Sequence, residues 1–280
     1  FRTRHLGYRT VSEKVPTSGK RVRKRFQPLE RRRRKIAAIA ACLLAPVALL
    51  AVLWWCAPFP RADLETLPSG TVLCDREGAP LRVGLGPDDI DCRPAYRPKR
   101  SDWIVQALVA AEDRRFFSHR GVDPAAVLRA AWLDLTHLRT VSGASTLSMQ
   151  VVRLMHPRPR TLVSKVIEAF RAVQLERIAS KDDILAQYLH RAPFGSNLVG
   201  IDAASRRYFG KAPTDLSLAE AALLAGLPQS PTRLRPDRHP ERARARQGYV
   251  LERMTACGFI TDQQLRTARA QPLVLRPAPR

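Results

Sequence analysis

The longest apolar stretch comes early: residues 36–59 hold no charged side chain. As a helix rising about 1.5 Å per residue, it can cross the roughly 30 Å hydrocarbon layer of a bilayer. It has no polar stripe of the kind a core helix shows, which predicts one transmembrane segment with Pro46 as a possible kink. Beyond it the periodicity changes. Residues Thr71 to Cys74 and Leu81 to Val83 flank a Glu77-Gly78 turn and predict a short β-hairpin, and no other segment reads as sheet. The rest is helical. Ile104, Val105, Leu108 and Val109 recur at helical spacing in a run that Ser101 or Asp102 caps and Glu112 ends. Asp123-Pro124 opens a second helix with Val127, Leu128, Ala131, Trp132 and Leu135 on one face. Ser180 with Asp183, and Ser217 with Glu220, form capping boxes ahead of two more helices. The first carries Ile184, Leu185, Tyr188 and Leu189, and the second carries Leu223, Leu224 and Leu227 and ends at Pro228.

This pattern divides the chain into a polar tail (1–35), a transmembrane helix (36–59), a linker with the hairpin (60–95), a mainly α domain (96–270) and a C-terminal stub (271–280). The formal net charge of +23 is unevenly spread. The tail holds 14 Lys and Arg against Glu13 and Glu30, a net +12, and the remaining +11 still favours anionic partners such as phosphates. Residues 31–35 are all basic and abut one end of the apolar run, while Trp54 and Trp55 lie near the other. The basic end should stay cytoplasmic and the tryptophans should sit at the far interface, leaving everything after about residue 60 extracytoplasmic. Lipid headgroups account for the basic tail better than nucleic acid does, because aromatic residues are sparse in it. Of five cysteines, Cys42 and Cys56 fall in the apolar run, and Cys74, Cys92 and Cys257 fall beyond it with no metal-ligand spacing. Cys74 and Cys92 flank the hairpin, and a disulfide between them fits an oxidising compartment.

Three segments combine chemistry with helical context. Glu112 to Gly121 packs acids, bases and aromatics behind an apolar helix. A carboxylate at such a helix end loses hydration, which favours its protonated form, whereas nearby arginines favour the ionised one, so Glu112 is a candidate proton acceptor. A surface ion-pair cluster has the same composition. Gly143 to Gln150 offers a glycine, three hydroxyls and an amide, groups that suit sugars and phosphates and equally suit a capped helix start. Lys165, Glu168 and Arg171 lie on one polar arc, with Val163, Val166, Phe170 and Val173 opposite. They form either a solvated face or a second carboxylate among cations that could hold a diphosphate, directly or through a divalent ion.

In this order the segments resemble the glycosyltransferase module of the class A penicillin-binding proteins, in particular the C-type subgroup. The resemblance lies in Glu112, Asp113, Phe116, His119 and Gly121, then in Gly143, Ser145, Thr146, Leu147 and Gln150, then in Lys165 and Glu168. It continues through Lys181, Ile184, Leu185, Tyr188 and Leu189, the RAPFG run from Arg191 to Gly195, and residues 219–238. It implies a lysozyme-like, two-lobed fold preceded by the membrane anchor, and an inner-membrane enzyme whose catalytic domain is periplasmic. The implied reaction polymerises lipid II into β-1,4-linked glycan, with Glu112 as general base and Glu168 as the second catalytic carboxylate. Asp113, Phe116, His119, Gly143, Ser145, Thr146, Gln150, Arg153, Lys165 and Arg171 would bind substrate. A divalent cation, Mg or Mn, is expected near Glu168 if any cofactor is used. Implied partners are lipid II, the growing glycan, the membrane and other wall-synthesis proteins, with no nucleic acid. The chain departs from the family in having Ser164 before the third-motif lysine and His190 where an asparagine is usual. Neither Ser-x-x-Lys nor Lys-Thr-Gly occurs, so no crosslinking activity is expected of these residues. A peptidoglycan-cleaving enzyme and a non-catalytic wall scaffold are the rival readings.

Overall fold

A computed structural model describes residues 37, 45, 52, 56–67, 70–76, 80–86, 90–92, 96–137 and 144–276. The chain forms two compact units, Phe1–Pro58 and Phe59–Arg280. The expected tail, nearly all of the expected transmembrane helix, and Gly143 lie outside the described residues. Among the described residues no helix is long and apolar enough to cross a membrane.

The second unit is mainly helical. It begins with a one-turn helix α1 (Ala62–Glu65) and an antiparallel hairpin of β1 (Val72–Cys74) and β2 (Pro80–Val83), in which Val72 faces Val83 and a register shift follows Leu73. A second, parallel pair joins β3 (Asp91–Cys92) to β4 (Leu198–Val199). The sequence reading missed it, because strands of two residues are too short to show any alternation. Cys92 is buried, with its sulfur 3.7 Å from the His190 carbonyl oxygen, while the side chain of Cys74 lies outside the described residues.

The helices fall into two packed groups. α2 (Trp103–Glu112) packs against α8 (Leu218–Gly226) and α9 (Pro240–Ala256), and α9 also carries α10 (Asp262–Ala270). α4 (Leu147–Met155) packs against α5 (Leu162–Ile178) and α6 (Lys181–Arg191), with α7 (Ile201–Phe209) beside α6. Both groups share one hydrophobic core. In α2, Ile104, Val105, Leu108 and Val109 are all about 1% exposed. At ~1.5–3 kcal/mol per fully buried aliphatic side chain, this burial holds the helix more firmly than its intrinsic propensity could. Asp102 occupies the N-cap position of α2, but its carboxylate accepts from the Lys99 amide and from Tyr96 Oη rather than capping the helix.

Both expected capping boxes form, and Thr261 with Gln264 makes a third at α10. α3 (Pro124–His137) starts where Asp123 Oδ1 accepts from the amides of Ala125 and Ala126 at 3.0 and 3.2 Å. Its apolar face is not a core face. Leu128 and Trp132 are 72% and 67% exposed, and on α5 Leu162, Val163 and Val166 are exposed while Glu168 is buried. The sequence expectation for α5 is therefore reversed over its first turns: the carboxylate faces inward and the valines face out. Periodicity identifies an apolar face, but it does not say whether protein covers that face.

Candidate active site

Between the two helix groups lies a cleft of about 1160 Å³. Eight basic side chains and four acidic ones line it, a surplus of positive charge suited to a phosphate-bearing ligand. Glu112 sits at the last position of α2, with its side chain 15% exposed. Gln150 Nε2, from α4, donates to Glu112 Oε2 at 3.1 Å, and Arg246 Nη2, from α9, donates to Glu112 Oε1 at 3.2 Å. Tyr188 Oη lies 3.5 Å from Gln150 Oε1. Burial, and then the charge of Glu112, holds the Tyr188 phenol well above its ordinary pKa, so it stays a neutral donor.

Behind Glu112, the chain turns at Asp113. Its buried carboxylate accepts from the Leu147 amide at 3.0 Å and pairs with His119 Nε2 at 2.9 Å. A carboxylate at the N-terminus of α4 meets unpaired amides and the positive end of the helix dipole. Thr146 Oγ1 caps the same helix by accepting from the Met149 amide at 3.2 Å, and it donates to the Gly121 carbonyl. Gly121 has φ of +90°, and a Cβ there would lie 2.7 Å from backbone atoms of Ala172, so only glycine fits between the turn and α5. Farther back, Glu176 accepts from Lys181 Nζ at 2.7 Å and from Ser148 Oγ, and the Lys181 ammonium lies 4.3 Å from the centre of the Phe116 ring.

Of the residues singled out in the sequence, Glu112, Asp113, Ser145, Thr146, Gln150, Arg153, Lys165 and Glu168 line the cleft. Arg153 Nη1 lies 3.9 Å from Glu168 Oε2. Phe116, His119 and Arg171, expected to bind substrate, do not line it. Phe116 is fully buried, the His119 ring is 2% exposed, and Arg171 donates to Gln174 at 3.0 Å. They support the cleft wall. Of the two departures from the family pattern, Ser164 lines the cleft, but His190 is buried away from it and bonds the Tyr96 carbonyl at 2.8 Å. Sequence reasoning missed Arg246, Tyr249 and Arg253 on α9, which also line the cleft. Their only signal was a run of arginines in a helix, which resembles any solvated face. Glu168 is a single carboxylate beside a cation, and among the described residues no group of three or more His, Cys, Asp or Glu is placed to hold a metal.

Residues 95–255 match the family model described as Transglycosylase. Penicillin-binding protein 1C of Escherichia coli (strain K12) is 45% identical over 233 residues, covering 83% of this chain and 30% of that protein. Penicillin-binding protein 1A of Aquifex aeolicus (strain VF5) is 42% identical over 179 residues, covering 64% and 25%. This chain thus spans less than a third of the length of either relative. A crystal structure of Penicillin-Binding Protein 1A from Haemophilus influenzae aligns over 75% of this chain and 22% of that one, with 20% identity and a TM-score of 0.40, a likeness too slight to add to the assignment. The class is a glycosyltransferase module similar to that of the class A penicillin-binding proteins. The chain belongs to the transglycosylase family.

Proposed function

We propose that the cleft polymerises lipid II, with Glu112 as general base. The 4-hydroxyl of the acceptor sugar attacks the anomeric carbon of the donor, the new C–O bond forms as the bond to the diphosphate breaks, and the hydroxyl proton passes to Glu112. Attack opposite the leaving group inverts the anomeric carbon and gives a β-1,4 linkage. The departing undecaprenyl diphosphate gathers negative charge, which Lys165 and Arg153 stabilise from the cleft wall. Ser145, Thr146 and Gln150 supply the neutral hydrogen bonds that orient the donor. In this reading Glu168 balances Arg153 and Lys165, and a divalent cation would bind there only with phosphate oxygens of the substrate completing its ligands, so no step depends on it.

The observation that carries the proposal is the placement of Glu112: a carboxylate at the tip of an apolar helix, held at both oxygens, inside a cleft with twice as many cations as anions. Residues 36–59 act as a single-pass anchor in the inner membrane with a cytoplasmic N-terminus, and the domain is two-lobed, lysozyme-like and periplasmic. The exposed apolar faces of α3 and α5 suit a cleft that opens towards a bilayer, since Leu162 both lines the cleft and is 83% exposed. Such faces suit a lipid-tailed substrate entering from the bilayer. Purified chain incubated with labelled lipid II should produce glycan that lengthens with time and is digested by lysozyme. Shortening of preformed glycan without polymer would make the cleft that of a cleaving enzyme, and no reaction on either would leave a scaffold.

A further inference from the structure

We infer that Arg246 is a positioning residue for Glu112, and that Gly226 is the gap through which it reaches. The inference rests on the reading of Glu112 as the base. Arg246 lies on α9, within the span that matches the family model but outside the motifs named from the sequence, and its guanidinium meets Glu112 Oε1 at 3.2 Å with both side chains about 15% exposed. Its route is tightly defined. A Cβ at Gly226 on α8 would stand 2.7 Å from Arg246 Cγ, too close for any side chain, and the contact is with the stiff base of the arginine rather than its mobile end. Past that point the guanidinium lies 4.6 Å from the centre of the Tyr249 ring. Its buried Nε finds no protein acceptor, so the Glu112 pair, the aromatic face and the Gly226 gap are what fix the side chain.

The consequence for Glu112 is geometric. A glutamate carboxylate rotates freely about its last torsion, which is broad and roughly two-fold. Gln150 alone would pin one oxygen and leave the plane free to turn. With Gln150 on Oε2 and Arg246 on Oε1, donors from two separate helices fix that plane, while each oxygen keeps a lone pair for the incoming proton. Proton transfer is steep in such alignment, and misplacement by about 1 Å can cost on the order of 100-fold in rate. Arg246 therefore acts through Glu112, and Gly226 acts through Arg246.

The test measures kcat and KM for lipid II polymerisation by the full chain and four variants: Arg246→Ala, Arg246→Lys, Gly226→Ala and the Gly226→Ala/Arg246→Ala pair, with thermal unfolding of each. Arg246→Ala should lower kcat by about 10- to 100-fold with KM within about 2-fold. Arg246→Lys should recover part of the loss, because an ammonium can reach one oxygen but cannot stack as the planar fork does. Gly226→Ala should also lower kcat. The paired variant should be no slower than Arg246→Ala, since alanine leaves no Cγ for the new methyl to strike. A rise in KM at unchanged kcat for Arg246→Ala would make the arginine a substrate ligand, and additive losses in the pair would make Gly226 a packing residue; either overturns the inference. If the wild-type chain makes no polymer, the reading of the cleft fails, and crystal structures of Arg246→Ala and Gly226→Ala then decide: a turned Glu112 carboxylate supports positioning, and an unmoved one overturns it.

Discussion

At the scale of single residues, the site depends on buried polar groups that are nearly all satisfied. Asp113 does not face open solvent; it ties the end of α2 to the start of α4 through the Leu147 amide and the His119 ring. Asp113→Ala should cost about 2–4 kcal/mol in urea denaturation, because it strands a buried amide and a buried imidazole, and polymerisation should fall with it as Gln150 loses its register. Unchanged denaturation would mean that the pair contributes nothing to the fold. His190 makes a different prediction. Burial chiefly, and then the nearby Arg97 and Arg191, hold its pKa below the ordinary 6.5 against the opposing bond to the Tyr96 carbonyl. The folded chain therefore binds this proton less readily than the unfolded chain does. Its contribution to stability is complete above pH 6.5 and declines as the pH falls from there towards the lowered folded value. Denaturation midpoints measured from pH 7.5 to 5 should drop more steeply for the wild type than for His190→Asn, and parallel profiles would contradict the assignment. His190 reads in sequence only as a departure from the family pattern; its burial against the Tyr96 carbonyl is a tertiary fact that no local pattern encodes.

Among the elements, what sequence revealed and what it hid separate by range. The capping boxes at Ser180 and Ser217, the Asp123-Pro124 start and the β1–β2 hairpin depend on neighbours within a few residues, and all of them form as the pattern implies. The orientation of α3 and α5 depends on what packs around them, so apolar spacing alone pointed their valines and leucines towards a core that lies elsewhere. That error is informative. An exposed Leu, Val or Trp forgoes roughly 1.5–3 kcal/mol of possible burial, and several together on two helices at one cleft call for a nonpolar partner. A triple Leu162→Asn, Val163→Asn and Val166→Asn variant should unfold within about 0.5 kcal/mol per site of the wild type. Its polymerisation of membrane-embedded lipid II should nevertheless fall several-fold. A large loss of stability, or full activity on embedded substrate, would each refute the idea that this face meets lipid.

For the molecule as a whole, the site is the meeting of two helix groups that no single segment describes. The order of the motifs brought Glu112, Gln150, Lys165 and Glu168 into view from sequence, since each stands in a segment with its own local character. Arg246 was not legible, because its significance arises only when α9 packs against α2 and α8 and carries the guanidinium past Gly226. Phe116 and His119 were legible as part of a motif but not as supports behind the wall, which needs a depth that one-dimensional spacing lacks. The account therefore stands on one carboxylate framed by three helices. The most direct test compares lipid II polymerisation by the wild type and Glu112→Gln, with thermal unfolding as control. Loss of a general base should cut kcat by roughly 100-fold or more while the melting profile stays close to that of the wild type. A folded Glu112→Gln chain that makes glycan at the wild-type rate would contradict the central claim.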